Sequence, residues 1–182
     1  PNPGRAPSAE ARARLGRARF VDASRYFVQR GFVVAVPTRV GYGVSGGPDV
    51  EDTGACNSRN FAPGFAAAAD QSLAVLAALR QRPDVAPDSV LAVGQSFGGA
   101  STVALAAMNP QGLTAAINFA GGSGGDPVGR PQDPCSSARL EKVYRDYGAQ
   151  ARVPMLWVYV ENDQFFGPKL PREWHAAFVQ AG

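Results

Sequence analysis

Ser96 is the residue of this chain best placed to do chemistry. It stands in Gly94-Gln95-Ser96-Phe97-Gly98, between the apolar run Val90-Leu91-Ala92-Val93 and the small residues Gly99 to Met108. A run that is β-branched at both ends predicts a strand, and the small residues after it predict a tightly packed helix. A serine on the sharp turn between the two has its hydroxyl lifted clear of the backbone, as attack on an acyl carbon requires. The glycines on either side let the helix start lie close against neighbouring strands. In a chain with 21 glycines the same string also describes an ordinary strand-to-helix turn with a capping serine.

A serine hydroxyl is a poor nucleophile until a base takes its proton and a carboxylate orients that base. Where the serine sits on such a turn, the order along the chain is serine, acid, histidine. Glu161-Asn162-Asp163 follows the apolar run Pro154 to Val160, and Asp163 is the better candidate acid because Glu161 still borders the strand. Asp163 also fits a turn-forming Asx residue. The single histidine, His175, lies beside Trp174 in a stretch that reads as a regular helix. A catalytic imidazole belongs on a loop above the sheet, so His175 is expected to be a plain helix residue, and the sequence offers no convincing base. For the oxyanion, the Phe97 amide is one expected donor. The second should come from a loop after an earlier strand, of which at most the tail, Pro1 to Pro7, is expected here.

These residues need elements to hold them. Pro1 to Pro7 reads as a loop, and Ser8 to Arg30 as a helix with Phe20, Ala23 and Phe27 facing inward and Gly31 as its C-cap. Phe32 to Val36 is a continuous apolar run, the pattern of a strand buried on both faces. A long irregular segment, Pro37 to Pro63, follows, carrying Gly41-Tyr42-Gly43. A helix is predicted from Gly64 to Arg82, ended by Pro83. Beyond the elbow come a strand at Ala115 to Ala120, a helix from Ser136 to about Gln150 capped by Ser136 or Ser137, a strand over Pro154 to Val160, and a last helix from about Pro171. Strand and helix alternate, which predicts a mostly parallel sheet with helices on both faces and ligands at the carboxyl ends of its strands. The irregular segment Pro37 to Pro63 and the Gly121 to Pro134 loop are candidate walls of such a site.

The length suits one domain with a sizeable core. No apolar run approaches the length of a membrane span. A net charge of +3 and arginines spread around the first helix argue for a solvated face rather than a nucleic-acid surface. Neither glycine-rich stretch has a phosphate-loop pattern, and no histidine or carboxylate pair has metal-ligand spacing. Cys56 and Cys135 lie in loop-like stretches. Either they form one disulfide, the favoured alternative and one that points to a secreted or periplasmic setting, or they are unpaired thiols of a cytoplasmic protein.

With Ser96 and Asp163 in this order, the chain resembles the α/β-hydrolases, and among them the dienelactone hydrolase family. It is most similar to a bacterial subgroup with serine in Gly-Gln-Ser-Phe-Gly-Gly. The matching segments are Arg25 to Pro37, Gly41 to Gly46, the elbow, and Glu161 to Phe166. Members of the family proper carry cysteine at the elbow, so Ser96 points to ester or amide substrates rather than dienelactone. The resemblance implies a His-Gly oxyanion strand just before Pro1 and a catalytic histidine in a Gly-His loop beyond Gly182. On this basis residues 1–182 form a single α/β-hydrolase domain, truncated at both ends. Its expected function is serine hydrolysis of small-molecule carboxylic esters through an acyl-enzyme on Ser96, without a cofactor or metal, the segment alone being close to inactive. A non-catalytic binding module of the same fold and a serine peptidase of the same fold are the alternatives. Substrate identity and oligomeric state are not legible in the sequence.

Overall fold

The computed structural model of the chain describes residues 2–6 and 8–182. Pro1 and Pro7, the ends of the expected N-terminal loop, lie outside them. Three parallel strands form one sheet in the order β1-β2-β3: β1 (Val90–Gln95), β2 (Leu113–Phe119) and β3 (Met155–Val158). Gly94 pairs with Asn118, and Phe119 with both Gln95 and Val158, so all three strands end at one level. Helices α4 (Phe97–Ala107) and α5 (Ser137–Gly148) make the two crossovers that parallel pairing demands. The result is the α/β architecture that strand and helix alternation predicts.

The core forms where α4 meets the sheet. Ala100, Val103, Ala104 and Ala106 of α4 are buried, and their small side chains let the helix lie close to β1 and β2. Helix α3 (Phe61–Leu79) covers α4 with Phe61, Phe65, Ala68 and Ala69, and Phe65 meets Phe97 edge-on at 5.0 Å between ring centroids. Helix α3 is long and apolar enough to cross a bilayer by length and composition, and these four residues of its N-terminal half are buried. It begins earlier than the sequence suggests. Pro63 lies in its first turn, where a missing N–H costs nothing. Helix α6 (Lys169–Ala181) packs on α5 through Trp174, which is completely buried and meets Tyr144 and Phe166.

The N-terminal quarter departs from expectation. Instead of one helix over Ser8 to Arg30 there are two short ones, α1 (Ala9–Arg14) and α2 (Val21–Val28). Ser8 caps the first through its side chain, whereas Phe20 adopts a left-handed conformation (φ 44°) at the start of the second. No residue of α2 is buried, so Ala23 and Phe27 do not form an inward face. Arg12 is not on a solvated face either. It is buried and paired with Asp49 at 2.7 Å.

Residues 32–36 form no strand. A parallel strand needs a neighbour's ladder, and among the described residues only Asn2 pairs with the edge of β1 on this side. Asn2 makes one parallel bridge to Gly94, its N–H donating to Val93 O (2.7 Å) while its carbonyl accepts from Gln95 N (3.0 Å). Between Phe32–Ala35 and Val90–Val93 lies an apolar cavity of about 300 Å³. Ser136 also differs from its expected role as a side-chain cap. Its hydroxyl instead donates across to Cys56 O at 2.6 Å.

Candidate functional site

The turn after β1 holds Ser96 at φ 55°, ψ −125°, a conformation that an L-residue adopts only when its surroundings impose it. Three backbone bonds do so: Ser96 N donates to Phe119 O (2.9 Å), and Ser96 O accepts from Ala100 N and Gly122 N (both 3.1 Å). The hydroxyl is left half-buried, with no hydrogen-bond partner among the described residues. The elbow glycines are there for close approach. A Cβ on Gly94 would collide with the Gly98 carbonyl, and one on Gly98 with the carbonyls of Asn2 and Pro3.

Those carbonyls belong to the N-terminal loop, whose seat is the feature that sequence reasoning missed. Asn2 is buried. Its side-chain amide donates to Thr102 Oγ1 (3.4 Å) and its Oδ1 accepts from Ser72 Oγ (3.1 Å). The chain then passes directly over the elbow, so that a Cβ on Gly4 would stand 3.2 Å from Ser96 Cβ and 3.6 Å from Oγ. Phe97 opens α4, and its amide, like every donor in a first helical turn, has no partner within the helix. Among the described residues the amides of Phe97, Gly4 and Arg5 all lack acceptors. Gly4 of the N-terminal segment therefore lies against the serine.

Beneath this loop is a fully buried ion pair. Arg39 Nε and Glu51 Oε1 are 2.5 Å apart, and neither side chain reaches solvent. Burial pushes the Tyr42 phenol up, so it keeps its proton and donates to Glu51 Oε2 at 3.0 Å. Nearer the surface, Asp49 receives both terminal nitrogens of Arg5 (2.7 and 2.5 Å) and one of Arg12. The hydrogen bonds from Arg5, with its charge and that of Arg12, hold the Asp49 carboxyl below the usual range. The only signal of this cluster in the sequence is two charges, Arg39 and Glu51, flanking Gly41-Tyr42-Gly43.

Asp163 lies in the turn after β3. Its Oδ1 accepts from Phe165 N (2.7 Å) and Phe166 N (3.4 Å), while Oδ2 has no partner among the described residues. The turn is tied to the elbow: Phe166 packs where a Cβ on Gly122 would be, and Gly122 donates to Ser96 O. Glu161 is exposed and paired with Arg172 of α6 at 2.9 Å. His175 is also on the outer surface of α6, where its ring meets Trp157 edge-on at 5.4 Å. No hydrogen bond joins it to Ser96 or Asp163. Tyr159 spans the floor between these parts, donating to Gly121 O (2.7 Å) and accepting from Asn118 Nδ2 (3.2 Å).

Two loops flank the elbow. Cys56 and Cys135 are joined by a disulfide, which fastens the segment entering α3 to the loop between β2 and α5. That second loop is joined to the Asp163 turn by Gln132 N donating to Gln164 O at 2.8 Å. Among the described residues, no group of three or more His, Cys, Asp and Glu side chains converges on a point that could hold a metal ion.

No curated protein and no solved structure matches this chain. A family model does, that of the dienelactone hydrolase family, over residues 15–182. A match of that length, on a chain whose strands form a parallel sheet, places it among hydrolases of the α/β-hydrolase superfamily: it belongs to the dienelactone hydrolase family.

Proposed function

We propose that the chain is the central part of a serine hydrolase that cleaves small carboxylic esters through an acyl-enzyme on Ser96. The observation that carries this reading is the strained Ser96 backbone whose hydroxyl, like the nearby Phe97, Gly4 and Arg5 amides, has no hydrogen-bond partner among the described residues. Ser96 attacks the carbonyl carbon. The Phe97 amide and an amide of Gly4 or Arg5 receive the developing oxyanion. Asp163, its Oδ1 held by its own turn, offers Oδ2 to the imidazole that serves as base. His175 does not fill that role, and in this reading the base is a histidine from sequence following Gly182.

The cavity beside β1 supports the same reading of the domain. Asn2 already supplies the last rung of a parallel ladder on the free edge of β1, so residues running into Asn2 would extend that ladder into the apolar cavity. In this reading residues 1–182 are one domain, completed at both ends by flanking sequence. The disulfide favours a secreted or periplasmic setting.

Without a base, a serine site retains only about 10³–10⁴-fold catalysis over water, from the oxyanion donors and binding. Residues 1–182 alone are therefore expected to be nearly inert toward a fluorophosphonate probe. The protein with its flanking sequence should label at Ser96, and its Ser96→Ala variant should not. Equal labelling of the two would refute the assignment. The position of His175 favours one rival, a non-catalytic binding module of the same fold. A histidine in the loop after the next strand decides against it.

A further inference from the structure

We infer that the buried Arg39–Glu51 pair is a positioning device that aims the Gly4 and Arg5 amides at the oxyanion on Ser96. The inference rests on Ser96 being the nucleophile. Arg39 donates from Nη1 to Pro3 O (2.6 Å) and from Nη2 to Gly4 O (3.3 Å). In a planar trans peptide, C=O and N–H point in opposite directions. Drawing both carbonyls onto Arg39 therefore turns the Gly4 and Arg5 N–H groups to the side of the chain opposite Arg39, on the stretch that packs against Ser96. The same guanidinium carbon is 5.7 Å from the ring centroid of Phe97, whose amide is the other donor. One side chain thus touches both halves of the oxyanion site.

The remaining contacts fix the guanidinium itself. Glu51 takes Nε at 2.5 Å and Nη2 at 3.2 Å, and Tyr42 closes the triangle by donating to Glu51 and accepting from Arg39 Nη2 at 3.3 Å. A completely buried ion pair is a weak source of stability, because desolvation of both charges offsets their attraction. A planar fork with several donors at fixed angles does offer orientation of two successive carbonyls. A lysine cannot supply that.

The test uses the protein with its flanking sequence, p-nitrophenyl acetate as substrate, and a boronic acid that forms a tetrahedral adduct on the serine. Arg39→Lys keeps a charge opposite Glu51 but loses the fork. Arg39→Met combined with Glu51→Leu removes the pair and leaves no unpaired charge, which guards against unfolding. In both, kcat should fall about 10- to 100-fold with KM changed less than about threefold, since misplaced donors weaken the transition state more than the ground state. The boronate Ki should rise by the same factor as kcat falls. Wild-type kcat and boronate affinity in either folded variant would overturn the inference, as would a loss confined to KM. Fluorophosphonate labelling that is the same in wild type and Ser96→Ala signals instead that the nucleophile reading has failed.

Discussion

Gly4 lies so close over Ser96 that a methyl group added to it would stand 3.2 Å from the serine Cβ and 3.6 Å from its Oγ. This is tight but not forbidding, and Gly4 has none of the positive φ that reserves a position for glycine. Gly4→Ala should therefore change stability by no more than about 1 kcal/mol. The added methyl fills the space in which a tetrahedral intermediate would form. The rate of fluorophosphonate labelling in the protein with its flanking sequence should drop at least about tenfold, a displacement of reacting atoms by a fraction of an ångström being enough for that. An unchanged labelling rate would move the oxyanion site elsewhere.

Ser96 itself is held at φ 55°, ψ −125°. Non-glycine residues in such regions carry about 1–3 kcal/mol of strain, and glycine relieves it at some cost in chain entropy. Ser96→Gly is expected to raise the free energy of unfolding by about 1 kcal/mol while abolishing labelling. Urea unfolding of the two proteins measures the first effect. A variant less stable than wild type would show that the serine side chain stabilises the turn more than the backbone strains it.

The framework around Ser96 was legible because it is local. The strand, the turn and the small-residue helix are contiguous in sequence, and the structure places β1 and α4 within a residue or two of where the pattern puts them. Phe32 to Val36 was not legible in the same way. Its composition is that of a buried strand, yet a parallel strand exists only as part of a ladder, and among the described residues just Asn2 pairs with that edge. The cluster under the loop escaped for another reason. Arg39 and Glu51 are far apart in sequence from Pro3 and Gly4, and nothing in their spacing signals that the chain folds one onto the other.

The disulfide links residues 79 positions apart, and such a cross-link stabilises mainly by restricting the unfolded chain. Replacing Cys56 and Cys135 together with serine should lower the free energy of unfolding by about 2–4 kcal/mol. Because Cys135 sits on the loop that also bonds to Gln164, hydrogen exchange should rise at Gln132 and in the Asp163 turn as well as beside the lost bridge. Exchange confined to the cysteines' immediate neighbours would show that the loops hold together without it.

Asp49 should make stability depend on acidity. Arg5 and Arg12 hold its carboxyl below the ordinary value of 3.8, so the ionised form favours the folded state. The stabilisation is fully present above the unfolded-state value and disappears as pH falls through the lower folded-state value. The stability difference between wild type and Asp49→Asn is thus expected to be constant near neutrality and to shrink below about pH 4. Urea midpoints of both proteins across that range test it, and a gap that does not close would assign the effect to shape rather than charge.

Asp163→Asn separates the two roles that the side chain could have. Asparagine keeps an acceptor oxygen where Oδ1 receives Phe165 N and Phe166 N, so the turn should persist and the unfolding free energy should change by less than about 1 kcal/mol. What it lacks is the charge at Oδ2. If that oxygen orients the catalytic imidazole, kcat in the protein with its flanking sequence should fall by about 10⁴-fold, the effect of the same replacement in a serine triad. If Asp163 only shapes the turn, kcat will stay within a few-fold of wild type. The acid must then be sought elsewhere, with Glu161 the first alternative because it follows the same strand and is paired with Arg172 at the surface.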